Sequence, residues 1–407
     1  MNQNDDNLDA IFQKALTSPR LFRTHEALRS DYVPDHLPFR NNQITTIGQV
    51  LAPLLHLSKP SNLLIYGKTG TGKTAVTKHV ITKLRQTCTN KQIVNTRFVY
   101  SNARSAGTEY RALAELASGI GLAIPFTGLA VSEVLSRVQQ FMKSNSLHTI
   151  FVLDEIDYLV KSFSDGLLYD LTNSSDSIAP GFLSIIGISN DLQFKEELGA
   201  RVLSRLSEEE TVFPPYSAIE LKTILQERAK FAFNQNAYTE AAVNLCAALS
   251  GSEHGDARRA VDLLRIAGEV AERDGAQQLD EKHVRIALQK IDQDRISDAL
   301  RTLPVHAKLV LIAAVRGSKE EGETKASSGS IYDEYSRLCE KSGIEPLTTR
   351  RISGLVTELD TLGLVSATVV NYGRYGRTKK ITPQISETVL EQAFHTDDTV
   401  SQLVSPN

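Results

Sequence analysis

Residues 63–74 read LLIYGKTGTGKT, an apolar run that ends in a glycine-rich loop closing on Lys73 and Thr74. The run asks for a buried strand, the loop for a backbone that turns its N–H groups inward, and residues 75–85 for a helix whose positive end faces the loop. That succession is the phosphate-binding loop of a nucleoside-triphosphate site. Gly70, Thr71 and Gly72 present successive N–H groups to phosphates, Lys73 reaches the terminal phosphates, Thr74 offers its hydroxyl to magnesium, and Ala75 opens the helix. ATP or ADP with a magnesium ion is the expected ligand.

A second apolar run, Thr149-Ile150-Phe151-Val152-Leu153, ends in Asp154-Glu155-Ile156-Asp157. Taken alone, it is a strand with a solvated acidic end. Beside a phosphate loop it delivers Asp154 to magnesium and Glu155 to a water, with Glu155 as the general base for attack on the γ-phosphate.

A chain of 407 residues suggests two to three domains, at about 150 residues each. No apolar stretch approaches the ~18 residues that span a bilayer, and the acidic start MNQNDDNLDA is unlike a secretory signal, so a cytoplasmic location without a membrane partner is expected. Cys88, Cys246 and Cys339 lie far from one another and from histidines at ligand spacing, which supports neither a zinc site nor a disulfide framework. With a net charge of −3, any contact to nucleic acid must come from a local patch.

Residues 1–30 read as an N-terminal tail and first helix. In 31–215, strands at 97–101, 149–153 and 182–190 alternate with helices at 43–57, 75–85, 109–119 and 131–142, the pattern of a parallel sheet covered on both faces. From 216 to 295 only helical periodicity remains, at 219–233, 239–250, 256–274 and 280–294. Residues 296–395 carry helices at 298–315, 331–341 and 349–362, then strands at 364–370 and 377–381, the order of a winged helix-turn-helix. The polar stretch 317–330 reads as a mobile surface loop, and 396–407 as a C-terminal tail. The expected architecture is an α/β core with a parallel sheet, a small helical lid and a C-terminal winged helix.

Between Thr348 and Thr382 stand six basic residues against two acidic ones, in a chain that is acidic overall. Thr349, Arg350 and Arg351 open the third helix, where a recognition helix meets base edges and phosphates. Tyr372, Arg374, Tyr375 and Arg377 lie among glycines at the hairpin tip, and Lys379 follows on its second strand. Such a tip enters a minor groove or grips the backbone; the alternative is a solvated hairpin on a winged helix that docks protein. Phe126, Thr127 and Gly128 form a Pro/Gly-framed loop that either packs on the core or approaches phosphates with Phe126 as a wedge.

These motifs, in this order from Val33 to about Phe394, resemble the archaeal origin-recognition initiators, AAA+ ATPases with a C-terminal winged helix. The resemblance implies that Val33, Leu37, Phe39 and Arg40 help to build an adenine pocket, that Asn190 is the sensor 1 amide that positions the attacking water, and that Tyr216 and Arg228 touch nucleotide at the core–lid junction. It places Arg258, in GDARRA, at the charge-sensing position of the lid, and an arginine finger at Arg205 or Arg201. It implies binding of double-stranded origin DNA, recruitment of a replicative helicase ring, other initiator copies as neighbours, and slow hydrolysis as a timer. Two other functions fit the same motifs: a loader or remodeller whose winged helix docks protein, and a DNA-binding regulator with ATP as a structural ligand.

Overall fold

The computed structural model describes residues 20–29, 32–125, 127–320, 326–371, 377–395, 397 and 399–404. The chain divides into two compact units, Met1–Ile286 and Ala287–Asn407.

The first unit is built on five parallel strands, β1 Leu63–Tyr66, β2 Thr96–Asn102, β3 His148–Asp154, β4 Phe182–Ser189 and β5 Glu209–Val212, in the order β2-β3-β4-β1-β5. Every residue of β3 and β4 is buried, which is why both read as nearly unbroken apolar runs. The two-residue period divides them between two layers. Ile150, Val152, Ile186 and Ile188 pack beneath α1 Asn41–Leu51 and α2 Lys73–Asn90. Phe151, Leu153, Leu183 and Ile185 pack on the other face, against α3 Glu109–Ile120, α4 Val131–Ser144, α5 Ile156–Phe163, α6 Gly166–Asn173 and α7 Ala200–Leu206. The register pairs Tyr66 with Ser189, Ile188 with Asp154, and Asp154 with Asn102, so four strands end together and their following loops share one edge.

β5 was not among the expected strands. Three of its four residues are exposed, so this edge strand carries no apolar alternation to betray it.

After β5 come α8 Ala218–Ala232, α9 Glu240–Glu253 and α10 Ala257–Asp274. A capping box starts α8: Ser217 and Glu220 satisfy each other's backbone N–H groups. Residues 21–28, grouped by the sequence with the N-terminal tail and first helix, are bound to these helices. The N–H groups of Leu21 and Phe22 donate to Glu272, those of Arg23 and Thr24 to the Ala232 carbonyl, and the Phe22 ring lies 4.7 Å from that of Phe233. The partners are 251 residues apart in the first of these bonds, beyond the reach of local pattern.

The helices read at 280–294 and 298–315 divide later than expected. α11 runs unbroken from Glu281 to Thr302, because nothing in it is Gly or Pro, and Pro304 marks the interruption before α12 Val305–Glu320.

In the second unit, α12, α13 Ser328–Ser342 and α14 Thr349–Thr361 precede a hairpin of β7 Val365–Asn371 and β8 Arg377–Pro383, followed by α15 Glu387–Phe394. A two-residue strand, β6 Ala326–Ser327, pairs with Ile381 and Lys380 of β8 to complete a three-stranded sheet in the order β6-β8-β7. The reading of 317–330 as a loop is therefore corrected at both ends. Residues 317–320 finish α12, Ala326 is buried within the sheet, and Ser327 with Ser330 caps α13. Leu309, Ile312, Tyr335, Leu338, Leu359 and Phe394 centre the core of this unit. Among the described residues no helix is long and apolar enough to cross a membrane.

Candidate functional site

The phosphate loop leaves β1 at Gly67 and enters α2 through Gly72, which holds φ 91° and ψ 9°, a left-handed conformation that suits glycine. Thr71 Oγ1 donates to the Lys68 carbonyl at 2.8 Å, closing the loop on itself. Lys73 is buried, and its Nζ donates to the carbonyls of Gly67 at 2.7 Å and Lys68 at 2.8 Å. Burial, opposed by Asp154 and aided by the charge of Arg258, brings its ammonium down to about 8.

At the end of β3 the Asp154 carboxylate is only 4% exposed. Its Oδ2 accepts from Thr74 Oγ1 at 2.7 Å and from Tyr100 Oη at 2.6 Å, and its Oδ1 accepts from the Glu155 N–H at 2.9 Å. Burial first, and then the Asp154 carboxylate, push the Tyr100 phenol well above its ordinary value, so it stays a donor.

Glu155 sits at φ 54° and ψ 43°, strained for a residue with a Cβ, and this turn sends its side chain away from Asp154. There it accepts from Asn102 Nδ2 at 3.3 Å and faces Arg104 Nε at 3.4 Å. Asn102 Oδ1 accepts from the Ser105 N–H, which orients the amide toward Glu155. On the neighbouring strand end, Asp157 Oδ1 accepts from Ser189 Oγ at 3.0 Å and from the Asn190 N–H at 3.2 Å. One carboxylate of α5 thus ties the end of β4, with Asn190, beside Asp154 and Glu155.

The lid helix α10 starts directly on the loop. The Ala257 N–H donates to the Gly70 carbonyl at 3.1 Å, and Asp256 caps the helix by accepting from the N–H groups of Arg258 and Arg259. Arg258 is exposed, yet near enough for its charge to act on Lys73. Arg40 is 2% exposed and wedges core to lid: its Nε donates to the Thr71 carbonyl at 2.9 Å, Nη2 to the Pro214 carbonyl at 2.7 Å, and its guanidinium lies 3.7 Å from the centre of the Tyr216 ring.

Magnesium fits this arrangement. The oxygens of Thr74 and Asp154 are hard donors that meet beside the loop, and among the described residues no cluster of three or more His, Cys, Asp or Glu offers a full protein cage. An ion held by one carboxylate, one hydroxyl and the phosphates of its nucleotide is the usual form for such a donor set.

In the second unit Thr349, Arg350 and Arg351 are all exposed on the first turn of α14, after Thr348 at the N-cap. Lys379 Nζ donates to Thr357 Oγ1 at 3.1 Å, tying the wing strand to that helix. In the first unit Thr127 and Gly128 are exposed at the tip of a loop whose flanks, Leu122, Ile124 and Leu129, pack on the core, and Tyr110 Oη donates to the Pro125 carbonyl.

Residues 56–192 match the AAA domain, 222–289 the Cdc6 AAA+ ATPase-type lid domain, and 298–393 the CDC6 C-terminal winged helix domain. The chain is 46% identical over 390 residues to ORC1-type DNA replication protein 1 of Sulfurisphaera tokodaii, covering 96% of this chain and 97% of that protein. It is 44% identical over 406 residues to the ORC1-type DNA replication protein of Thermococcus kodakarensis, covering 99% of this chain and 97% of the relative. The chain belongs to the ORC1-type DNA replication protein family. The structure of the Aeropyrum pernix ORC1 protein in complex with DNA is similar to it with a TM-score of 0.79 and 43% identity, over 95% of this chain and 99% of that one.

In this ORC1-type chain the fold brings Gly70, Thr71, Gly72, Lys73, Thr74, Asp154, Glu155, Asn190, Arg40, Tyr216 and Arg258 around one loop, with Ala75 in the first turn of α2. Two residues named for the same pocket make other contacts as well. Arg228 donates to the carbonyls of Ala27 and Tyr32 and stacks on the Tyr32 ring at 4.7 Å, holding the N-terminal segment. Val33 lines a cavity with Lys78, Thr82, Arg85 and Tyr100 that none of residues 67–74 enters. Arg201 and Arg205 are both exposed on α7, and among the described residues neither is paired with a carboxylate. Phe126, Tyr372, Arg374 and Tyr375 lie outside the described residues; Arg377 opens β8 opposite Asn371.

Sequence reasoning missed Tyr100, Asn102, Asp157 and Asp256. Asn102 was open to discovery, because a parallel neighbour of equal length to β3 places its last residue opposite Asp154.

Proposed function

We propose that this ORC1-type protein is an ATP-dependent initiator of DNA replication that binds duplex origin DNA and promotes recruitment of the replicative helicase. The observation that carries the switch is the seat of the lid on the phosphate loop, where α10 begins by bonding the Gly70 carbonyl. Any ligand that changes the loop's charge acts at once on the first turn of the lid, where Arg258 stands. A guanidinium there meets one more phosphate in ATP than in ADP, so binding state becomes lid pose.

Magnesium, held by Thr74 and Asp154 with the nucleotide, would neutralise charge between the terminal phosphates. Lys73 supplies positive charge from a buried position, Glu155 takes a proton from water, and Asn190 orients that water. Glu155 is held off by Asn102 and Arg104, which supports slow turnover until a neighbouring copy brings Arg205 or Arg201. The relative solved with DNA supports DNA binding by this chain; the residues assigned to it are Thr349, Arg350, Arg351 and Lys379, the wing residues Tyr372, Arg374, Tyr375 and Arg377, and Phe126, Thr127 and Gly128.

The test is a genome-fragment binding selection with ATP, ADP or no nucleotide at physiological salt, followed by sequencing. A few enriched intergenic sites are the expected outcome. Uniform, salt-sensitive retention would favour a loader, and enriched sites without turnover on DNA would favour a regulator.

A further inference from the structure

Asp154 is buried and carries three hydrogen bonds, of which one comes from an unassigned residue. Tyr100 stands on β2, the edge strand, two residues before Asn102 and on the same face. Its Oη reaches Asp154 Oδ2 at 2.6 Å, while Thr74 Oγ1, from α2, reaches the same oxygen at 2.7 Å. The Glu155 N–H holds Oδ1. Thr74 on Oδ2 and the Glu155 N–H on Oδ1 already restrain rotation about the Cβ–Cγ bond. A second donor on Oδ2, from another strand, tightens that restraint. Lys78 Nζ lies 4.5 Å from the centre of the ring.

We propose that Tyr100 is a positioning residue for Asp154, its phenol setting the carboxylate plane in which Asp154 and Thr74 receive the divalent cation bound with nucleotide. This rests on the proposed metal role of Asp154 and Thr74. Partners of a ligating carboxylate orient it, and their removal commonly weakens metal affinity roughly 10- to 100-fold. The opposing effect, a more basic carboxylate once a donor is lost, would tighten the ion. Orientation dominates here because Asp154 is too buried to regain the lost bond from water.

The experiment is a magnesium titration of fluorescent ATP-analogue binding to the full chain as wild type, Tyr100→Phe and Lys78→Ala. Tyr100→Phe should bind the analogue in EDTA as wild type does, which also shows that it is folded, and should need roughly tenfold or more magnesium for half of the cation-dependent gain. Lys78→Ala, which alters the ring's surroundings but leaves the hydroxyl, should follow wild type. An unchanged or lower magnesium midpoint in Tyr100→Phe overturns the role of Tyr100 alone. A wild-type chain indifferent to magnesium overturns the metal reading of Asp154 and Thr74, and this proposal with it.

Discussion

The Asp256 carboxylate occupies the space that a side chain at Gly70 would need: a Cβ built there lies 1.7 Å from Asp256 Oδ1. Gly70 also holds φ +72°, and its carbonyl accepts the first N–H of the lid helix. Gly70→Ala should therefore cost stability, about 1–2 kcal/mol for the backbone alone, and unseat the lid. A lowered melting temperature together with weaker ATP binding in a fluorescence titration is the expected result. Wild-type affinity in the variant would show that lid and loop act independently.

Glu155 is turned away from Asp154 by its own strained backbone and held by Asn102. Glu155→Gln should keep nucleotide affinity and reduce phosphate release by roughly a hundredfold or more, the usual worth of a general base. Lys73→Ala should instead abolish binding. Turnover in Glu155→Gln equal to wild type would remove the general-base assignment.

In the second unit, the Lys308 ammonium, 2.7 Å away, holds Asp397 below the usual carboxylate range, with the N–H groups of Thr399 and Val400 also donating to it. A carboxylate with a depressed folded value stabilises the fold above its unfolded value, about 4, and loses that contribution as pH falls through the folded value. Asp397→Asn also leaves Lys308 buried without its counter-charge, a loss of roughly 1–3 kcal/mol near neutral pH. Hydrogen exchange of peptides covering 305–320 should be faster in the variant at pH 7, and equal to wild type once Asp397 is protonated. Equal exchange at pH 7 would remove this pair from the stabilising contacts.

Arg350 is exposed at the first turn of α14. If it meets a phosphate, Arg350→Ala should lower duplex affinity and reduce the slope of log affinity against log salt by about one. Affinity lost at unchanged slope would reassign Arg350 to base readout.

By itself the sequence determined the strand that feeds the phosphate loop, the acidic end of β3, the all-helical lid and the winged helix, because buried parallel strands and amphipathic helices write their periods locally. Tertiary structure decided which side chains share the site. Arg40 reaches the Thr71 carbonyl while Arg228, equally basic and expected in the same pocket, holds Ala27 and Tyr32. Residues 21–28 join the lid, β5 hides in a polar edge, and Tyr100 meets Asp154 across 54 positions of chain. Those pairings depend on strand order and register, which bring distant residues within hydrogen-bond reach and leave no trace in the spacing of either partner.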